Sequence, residues 1–376
     1  MKRKTCSICA SKDFEHLYTF NHMPIYIGIS YKKYEYDEFV DQAWYICKNC
    51  GCIQLLDLID LHNLYSISHN PAVGKTWMLH NEAFSNYILK FGSDKILEIG
   101  GGNLTMAKVI TKNKKIKKYK IYDVNCEKIG SPEIIEFNES FFDLNEDITN
   151  IGEFNTIVLS HTFEHLYEPV KNLIKFHDIL PMGGKVILSM PNIENGILDK
   201  FTNSLSFEHP FYIEEDNLDY MLRKTGFKPI DIMHFSKHNI FIVYEKTTDL
   251  ISIRMPLNYN KNKKIFSEFV DYHQKNLIYL NEQIEINKEY PLYLFGSHIF
   301  SQFLINLGLN AKYFKGILDD DINKQNRRLY GTELMTYASE VIKDVSSPVI
   351  ILQAGIYNKE ITDRLKKINP SVKIIN

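Results

Sequence analysis

Three groups of residues in this sequence have the types and spacing for chemistry. The first is a pair of cysteine knuckles, Cys6-Ser7-Ile8-Cys9 and Cys47-Lys48-Asn49-Cys50. Each C-x-x-C turn presents two thiolates on one side, so Cys6, Cys9, Cys47 and Cys50 together complete a tetrahedral shell for Zn2+. Four cysteines leave no position for water, which points to a structural ion rather than a catalytic one. Gly51 follows the second knuckle, where a positive φ is often needed. The second group is Glu98-Ile99-Gly100-Gly101-Gly102, an acid in an apolar strand end followed by a glycine turn. Glycines let backbone approach a ligand where a Cβ would clash, and a helix N-terminus after such a turn suits a nucleotide. An acid in an apolar strand end costs desolvation unless it has a task. The third group holds His161, His165 and the Glu208-His209 dipeptide, side chains that can take a proton from a substrate.

The elements that must carry these residues follow from pattern. Residues 75–91 have helical periodicity, and 95–110 read as strand, glycine turn and helix. A second strand over 118–123 ends in Asp123, 25 residues after Glu98, where an acid can accept both ribose hydroxyls of a nucleoside. Further strands are expected over 154–160, 184–191, 227–233 and 239–244, with a helix ending at Leu180. Asn103, Leu104 and Thr105 follow Gly102, so the third glycine of a dinucleotide fingerprint is missing and an NAD enzyme ranks low. Beyond residue 249, a helix over 261–288 precedes a strand then turn over 290–297 and strands near 313–318, 348–353 and 372–375. This alternation predicts a second α/β unit with a parallel sheet. Its single-glycine turn, Gly296, suits a phosphate contact or a purely structural role. The expected organisation is a zinc-binding module over 1–70, a cofactor domain over 71–248 and a Rossmann-like unit over 249–376. The fold class is α/β throughout, apart from a small sheet expected around Ala43-Trp44-Tyr45-Ile46.

Bulk composition narrows the partners. The 376 residues carry 44 basic and 46 acidic side chains, net −2, which gives no electrostatic case for nucleic acid. No apolar run reaches the roughly 18 residues of a membrane span, and the basic start lacks the apolar core of a signal peptide. Four of the six cysteines sit in two tight pairs rather than a disulfide framework, so a cytoplasmic protein with reduced thiols is expected.

The strand order and Glu98-x-Gly100-x-Gly102 resemble the class I S-adenosylmethionine (SAM)-dependent methyltransferase domain, whose hallmark is E/D-x-G-x-G. The resemblance implies that the Gly100-Gly101-Gly102 turn approaches the methionine end of SAM and that Asp123 takes the ribose. It places Phe142 and Asp143 beside the adenine and His161 on the substrate side. Over nearly the whole chain, the order of knuckles, SAM domain and Rossmann-like tail resembles the bacterial sugar C-methyltransferases, which act on nucleotide-linked 4-keto-deoxysugars. Phe163-Glu164-His165 and Glu208-His209 carry that likeness, with His209 implied as base, Glu208 orienting it and His161 a second candidate. Ser206 and Phe207 stand where the family has Tyr and His, which removes groups from the keto side. The implied acceptor is a nucleotide-activated sugar or a related precursor of a surface polysaccharide. Methyl transfer to oxygen or nitrogen of a glycan precursor is the alternative acceptor chemistry. A non-catalytic zinc-containing scaffold is the alternative of another class; the complete Glu98, Gly100, Gly102 and Asp123 set ranks it low. Tyr65, His69 and Asn70, at the first junction, suit either the acceptor cleft or interdomain packing.

Overall fold

The computed structural model describes residues 1–65, 75–91, 94–126, 128–237, 239–249 and 252–376. His69, Asn70 and the junction at 70/71 lie outside them. The chain opens with β1 (Phe14–Pro24), β2 (Ile29–Ser30), β3 (Phe39–Cys47) and β4 (Ile53–Leu55). β1, β3 and β4 form a three-stranded antiparallel sheet in the order β1-β3-β4. Along β3, Gln42, Trp44 and Ile46 are buried while Ala43 and Tyr45 are half-buried, the period-2 pattern of a strand with one face on a core.

The central sheet uses β5 (Lys95–Ile99), β6 (Lys118–Tyr122), β7 (Ile135–Asn138), β8 (Thr156–Ser160), β9 (Lys185–Pro191), β10 (Phe227–Phe235) and β11 (Asn239–Lys246). Their order is β10-β11-β9-β8-β5-β6-β7. β11 runs antiparallel to both of its neighbours, and β9, β8, β5, β6 and β7 are mutually parallel. β5 lies mid-sheet with Ile96, Leu97, Glu98 and Ile99 all buried, as expected of a parallel strand covered on both faces. Helix Lys75–Lys90 contributes Phe84, Tyr87 and Ile88 to one covering layer, and helix Pro169–Ile179 contributes Leu173 and Phe176 to the other. The chain enters β6 on one side of β5 and β8 on the other, so the turn after β5 stands where strand order reverses. Open α/β sheets bind ligands there.

The last sheet is parallel, with β12 (Leu292–Phe295), β13 (Phe314–Leu318), β15 (Thr336–Tyr337), β16 (Val349–Ile351) and β17 (Lys373–Ile375) in the order β15-β13-β12-β16-β17. The remaining strand, β14 (Arg328–Leu329), pairs with β2 across some three hundred residues of sequence. Arg328 seals that contact with a bidentate pair to Asp37 at 2.5 and 2.6 Å, both side chains being nearly inaccessible. Residues 28–38 therefore pack against the C-terminal unit rather than only within a self-contained N-terminal module. Helix Tyr259–Asn287 also spans two cores. Phe266, Phe269 and Val270 join the core containing the cysteines, and Leu280 and Ile284 join the core under β12.

Two expectations need adjusting. β7 and β15 were not anticipated, and the strand near 348–353 shortens to Val349–Ile351; the strand then turn over 290–297 is present as β12 followed by Gly296. The Gly296 turn is internally satisfied. Ser297 N–H donates to Asp319 at 2.9 Å and the Ser297 hydroxyl bonds Thr336 at 2.6 Å.

Candidate active site

At the C-terminal ends of β5, β6 and β8 lies a cavity of about 830 Å³, within the roughly 300–1,000 Å³ of small-molecule sites. The glycine turn forms its floor. Gly100 has φ +82°, which favours glycine. At Gly102 a Cβ would come within 2.7 Å of both the Asp123 carboxylate carbon and the Asn125 carbonyl oxygen. Asp123 accepts the Gly102 N–H at 2.9 Å and the Asn125 N–H at 2.7 Å, so the acid ending β6 also locks the turn. Glu98, Gly101, Asp123, Phe142 and Asp143 all contribute to the wall. Phe142 is held edge-on by Tyr122 and tilted against Phe176.

Glu98 is almost fully buried, and Tyr119 donates its hydroxyl to it at 2.6 Å. Burial pushes its carboxyl up to about 7; the Asp123 charge adds to this and the Tyr119 hydroxyl opposes it. Between about pH 4.5 and 7 the folded chain therefore keeps a proton that the unfolded chain has lost. The associated stability is full below pH 4.5 and declines as pH rises through 7, by about 3 kcal/mol. We expect Glu98→Gln to flatten this part of the apo protein's stability–pH profile, measured by urea unfolding at several pH values. An unchanged slope contradicts the assignment.

Two loops bring acids and histidines to or beside the cavity, and the first lies against the glycine turn itself, where a Cβ on Gly100 would come within 2.7 Å of Thr162 Cγ2. The first follows β8. His161 takes φ +49°, a conformation uncommon for a non-glycine residue, and its N–H donates to Ser189 O at 2.8 Å. The turn Phe163–His165 then buries Glu164 completely. His161 Nδ1 lies 3.5 Å and His165 Nε2 3.9 Å from Glu164 Oε1. Burial alone would raise the Glu164 carboxyl, but His161, His165 and His209 hold it below the ordinary value. The second loop carries Ser206, Glu208 and His209, with the Ser206 hydroxyl accepting the His209 N–H at 3.2 Å.

The cysteine-bearing sheet positions this second loop. Leu55 N–H donates to Pro210 O at 2.9 Å and Tyr212 N–H to Ile53 O at 2.7 Å, so residues 210–212 extend the edge of β4. Arg3 ties both loops together, donating to Leu55 O at 3.1 Å, Pro210 O at 3.3 Å and Tyr167 O at 2.9 Å. His161, His165 and Glu208 reach the cavity wall. His209 stands behind it with its ring edge-on to His165, 4.9 Å between centroids. The carboxylate grouped with the ligand atoms of His165 and His209 is that of Glu164. Trp77 also lines the cavity and packs edge-on against His161. Sequence pattern places Trp77 only on an amphipathic helix, whereas Arg3 carries no pattern at all.

The four knuckle cysteines converge, all sulfurs within 4.8 Å of one another, with Cys6–Cys50 and Cys9–Cys47 at 3.6 Å. Tetrahedral bonds of about 2.3 Å separate sulfurs by about 3.8 Å, so the donor set fits zinc. Gln54 Nε2 donates to Cys6 Sγ at 3.2 Å, and Gly51 has φ +81°.

Residues 79–232 match the family model described as a methyltransferase domain. The central unit thus carries a methyltransferase domain. No curated protein matches the chain. Among solved structures, human N-acetylserotonin methyltransferase in complex with SAM is similar at 14% identity and TM-score 0.40. That match covers 46% of this chain and 53% of the human one, about half its length. The N-methyltransferase NodS from Bradyrhizobium japonicum WM9, in complex with S-adenosyl-L-homocysteine (SAH), is similar at 13% identity and TM-score 0.36, covering 48% of this chain and 91% of that one. The CurJ carbon methyltransferase is similar at 15% identity and TM-score 0.36, covering 45% and 54%. The residues matched by the family model include the glycine turn, Asp123 and strands β5 to β9. Among the described residues no helix is long and apolar enough to cross a membrane.

Proposed function

We propose that this chain moves the methyl group of SAM onto a nucleotide-activated sugar or a related precursor of a surface polysaccharide. The observation that carries the reading is the convergence of two histidine-bearing loops on the same cavity that the glycine turn lines. Cofactor and acceptor then meet in a single cavity, where alignment supplies much of the rate and the sulfonium is already a good leaving group. Gly100, Gly101 and Gly102 hold the methionine part of SAM, Asp123 the ribose, and Phe142 and Asp143 the adenine. His161 takes the proton, because its ring lies in the wall and its Nε2 has no hydrogen-bond partner among the described residues. Glu208 faces the acceptor, and His209 supports the same corner from behind. The cysteine cluster holds a structural Zn2+ that fixes the turn leading into β4, and through it residues 208–212.

The units over 1–70, 71–248 and 249–376 act as support, cofactor domain and a second face for the acceptor's nucleotide, in a cytoplasmic enzyme. Methylation of an oxygen or nitrogen on the same class of precursor is the alternative, favoured by Ser206 and Phe207 standing where a keto-binding pair is expected.

We expect His161→Ala to keep SAH affinity within about threefold and to lose roughly 10²- to 10⁴-fold in turnover, the range for removing a general base. A turnover within threefold of wild type refutes the assignment. The acceptor is tested with a nucleotide-linked 4-keto-deoxysugar in deuterium oxide without SAM. Exchange at the carbon beside the ketone, followed by methylation there once SAM is added, supports carbon transfer. Methylation of a hydroxyl or amine without exchange supports the alternative.

A further inference from the structure

Glu164 has no accessible surface, and neither of its carboxylate oxygens has a hydrogen-bond partner among the described residues. The nearest imidazole nitrogens, His161 Nδ1 and His165 Nε2, lie 3.5 and 3.9 Å from Oε1, ion-pair distances that leave room for an ion between carboxylate and imidazole. A buried carboxylate is costly unless it is paired or coordinates a metal. The ligand atoms of Glu164, His165 and His209 all lie within 4.8 Å of one another. We propose that Glu164, His165 and His209 bind a divalent transition-metal ion at the acceptor end of the cavity.

The surroundings are those of a metal site. Tyr65 hydroxyl and His165 Nδ1 are hydrogen-bonded at 2.8 Å, which turns Nε2 toward Glu164. Metal-bound imidazoles are oriented in this way by an outer partner on the other nitrogen. His209 Nδ1 is buried and unpartnered among the described residues. The two loops that supply the donors are fixed to one another by Arg3. Two imidazoles and one carboxylate select a cation of the iron, cobalt or zinc kind over magnesium or calcium, and three protein ligands leave coordination positions open. His165 is in the cavity wall, so an acceptor oxygen can fill one of them. A metal there stabilises negative charge on that oxygen, the task left without a Tyr and His at positions 206 and 207. This role rests on the methyltransferase reading; the binding of metal does not.

The test is a Co2+ titration of tag-free, full-length protein, with bound metal counted by elemental analysis. We expect two equivalents per chain in the wild type. One gives the intense thiolate charge-transfer band of the cysteine cluster; the other adds visible absorption without that band. His209→Ala and Glu164→Gln are expected to hold one equivalent, and Tyr65→Phe to bind the second 10- to 100-fold more weakly. SAH binding is measured in parallel on each protein. Uptake of only the thiolate-bound equivalent by saturated wild type overturns the proposal. Two equivalents that persist undiminished in both His209→Ala and Glu164→Gln also overturn it. Two equivalents in a wild type that does not bind SAH would count against the methyltransferase reading and leave the metal site standing.

Discussion

Gly102→Leu is expected to abolish measurable SAH binding while the chain stays folded. A Cβ at this position meets the Asp123 carboxylate carbon and the Asn125 carbonyl oxygen at 2.7 Å, so the turn has to move. Movement breaks the 2.9 Å bond from the Gly102 N–H to Asp123 and tilts the acid away from its place at the end of β6. It also narrows the cavity floor by a leucine side chain. A dissociation constant raised at least 100-fold corresponds to about 2.8 kcal/mol, well within the reach of one misplaced turn. Local strain of this kind costs roughly 1–3 kcal/mol, which a chain with four sheets among its described residues and several buried cores can absorb. Calorimetry with SAH and a melting curve check both halves of the claim. Retained affinity would mean that the cofactor does not lie over this turn.

The second large effect is expected from the cysteine cluster. Cys50→Ser should lower the melting temperature by more than about 10 °C and remove turnover with it. Cys47 and Cys50 are fully buried and belong to the same continuous core as Trp44, Leu97 and Phe163. Structural zinc in small domains contributes roughly 10–16 kcal/mol to folding, so a weakened shell is felt strongly. The damage does not stay local. The β3–β4 turn leads into β4, where the backbone groups of Ile53 and Leu55 hold residues 210–212 beside His209. Asn262 reaches back from the long helix to the Gly51 carbonyl at 3.0 Å, which couples the knuckle to the C-terminal half. Scanning calorimetry with and without a chelator measures the loss. A variant that melts within about 2 °C of wild type, with unchanged zinc content, would show that the thiols are not a metal shell.

The cofactor end of the site was legible in sequence because its requirements are local. Glu98, the glycine turn and Asp123 sit at strand ends that apolar runs announce. Steric demands at Gly102 follow from two segments about twenty residues apart. β7 was missed because Ile135–Asn138 is only four residues long, with a single buried side chain, and gives no clear period. β2 with β14 was illegible for another reason. Each strand has two residues, and their pairing is decided by Asp37 and Arg328 meeting across nearly the whole chain. The acceptor end was half legible. The histidines stood out by type, but nothing in their spacing says that Glu164 is the acid between them. Arg3 and Tyr65 show why. Their effect is to hold loops whose sequences are far apart, and only the folded chain brings those carbonyls and rings into reach.

The most direct test of the account is calorimetric binding of SAH to the wild-type, metal-replete protein, run beside NAD+. The account predicts one SAH per chain with micromolar affinity, and no heat from NAD+. Folded protein that binds no SAH, or prefers NAD+, would contradict it.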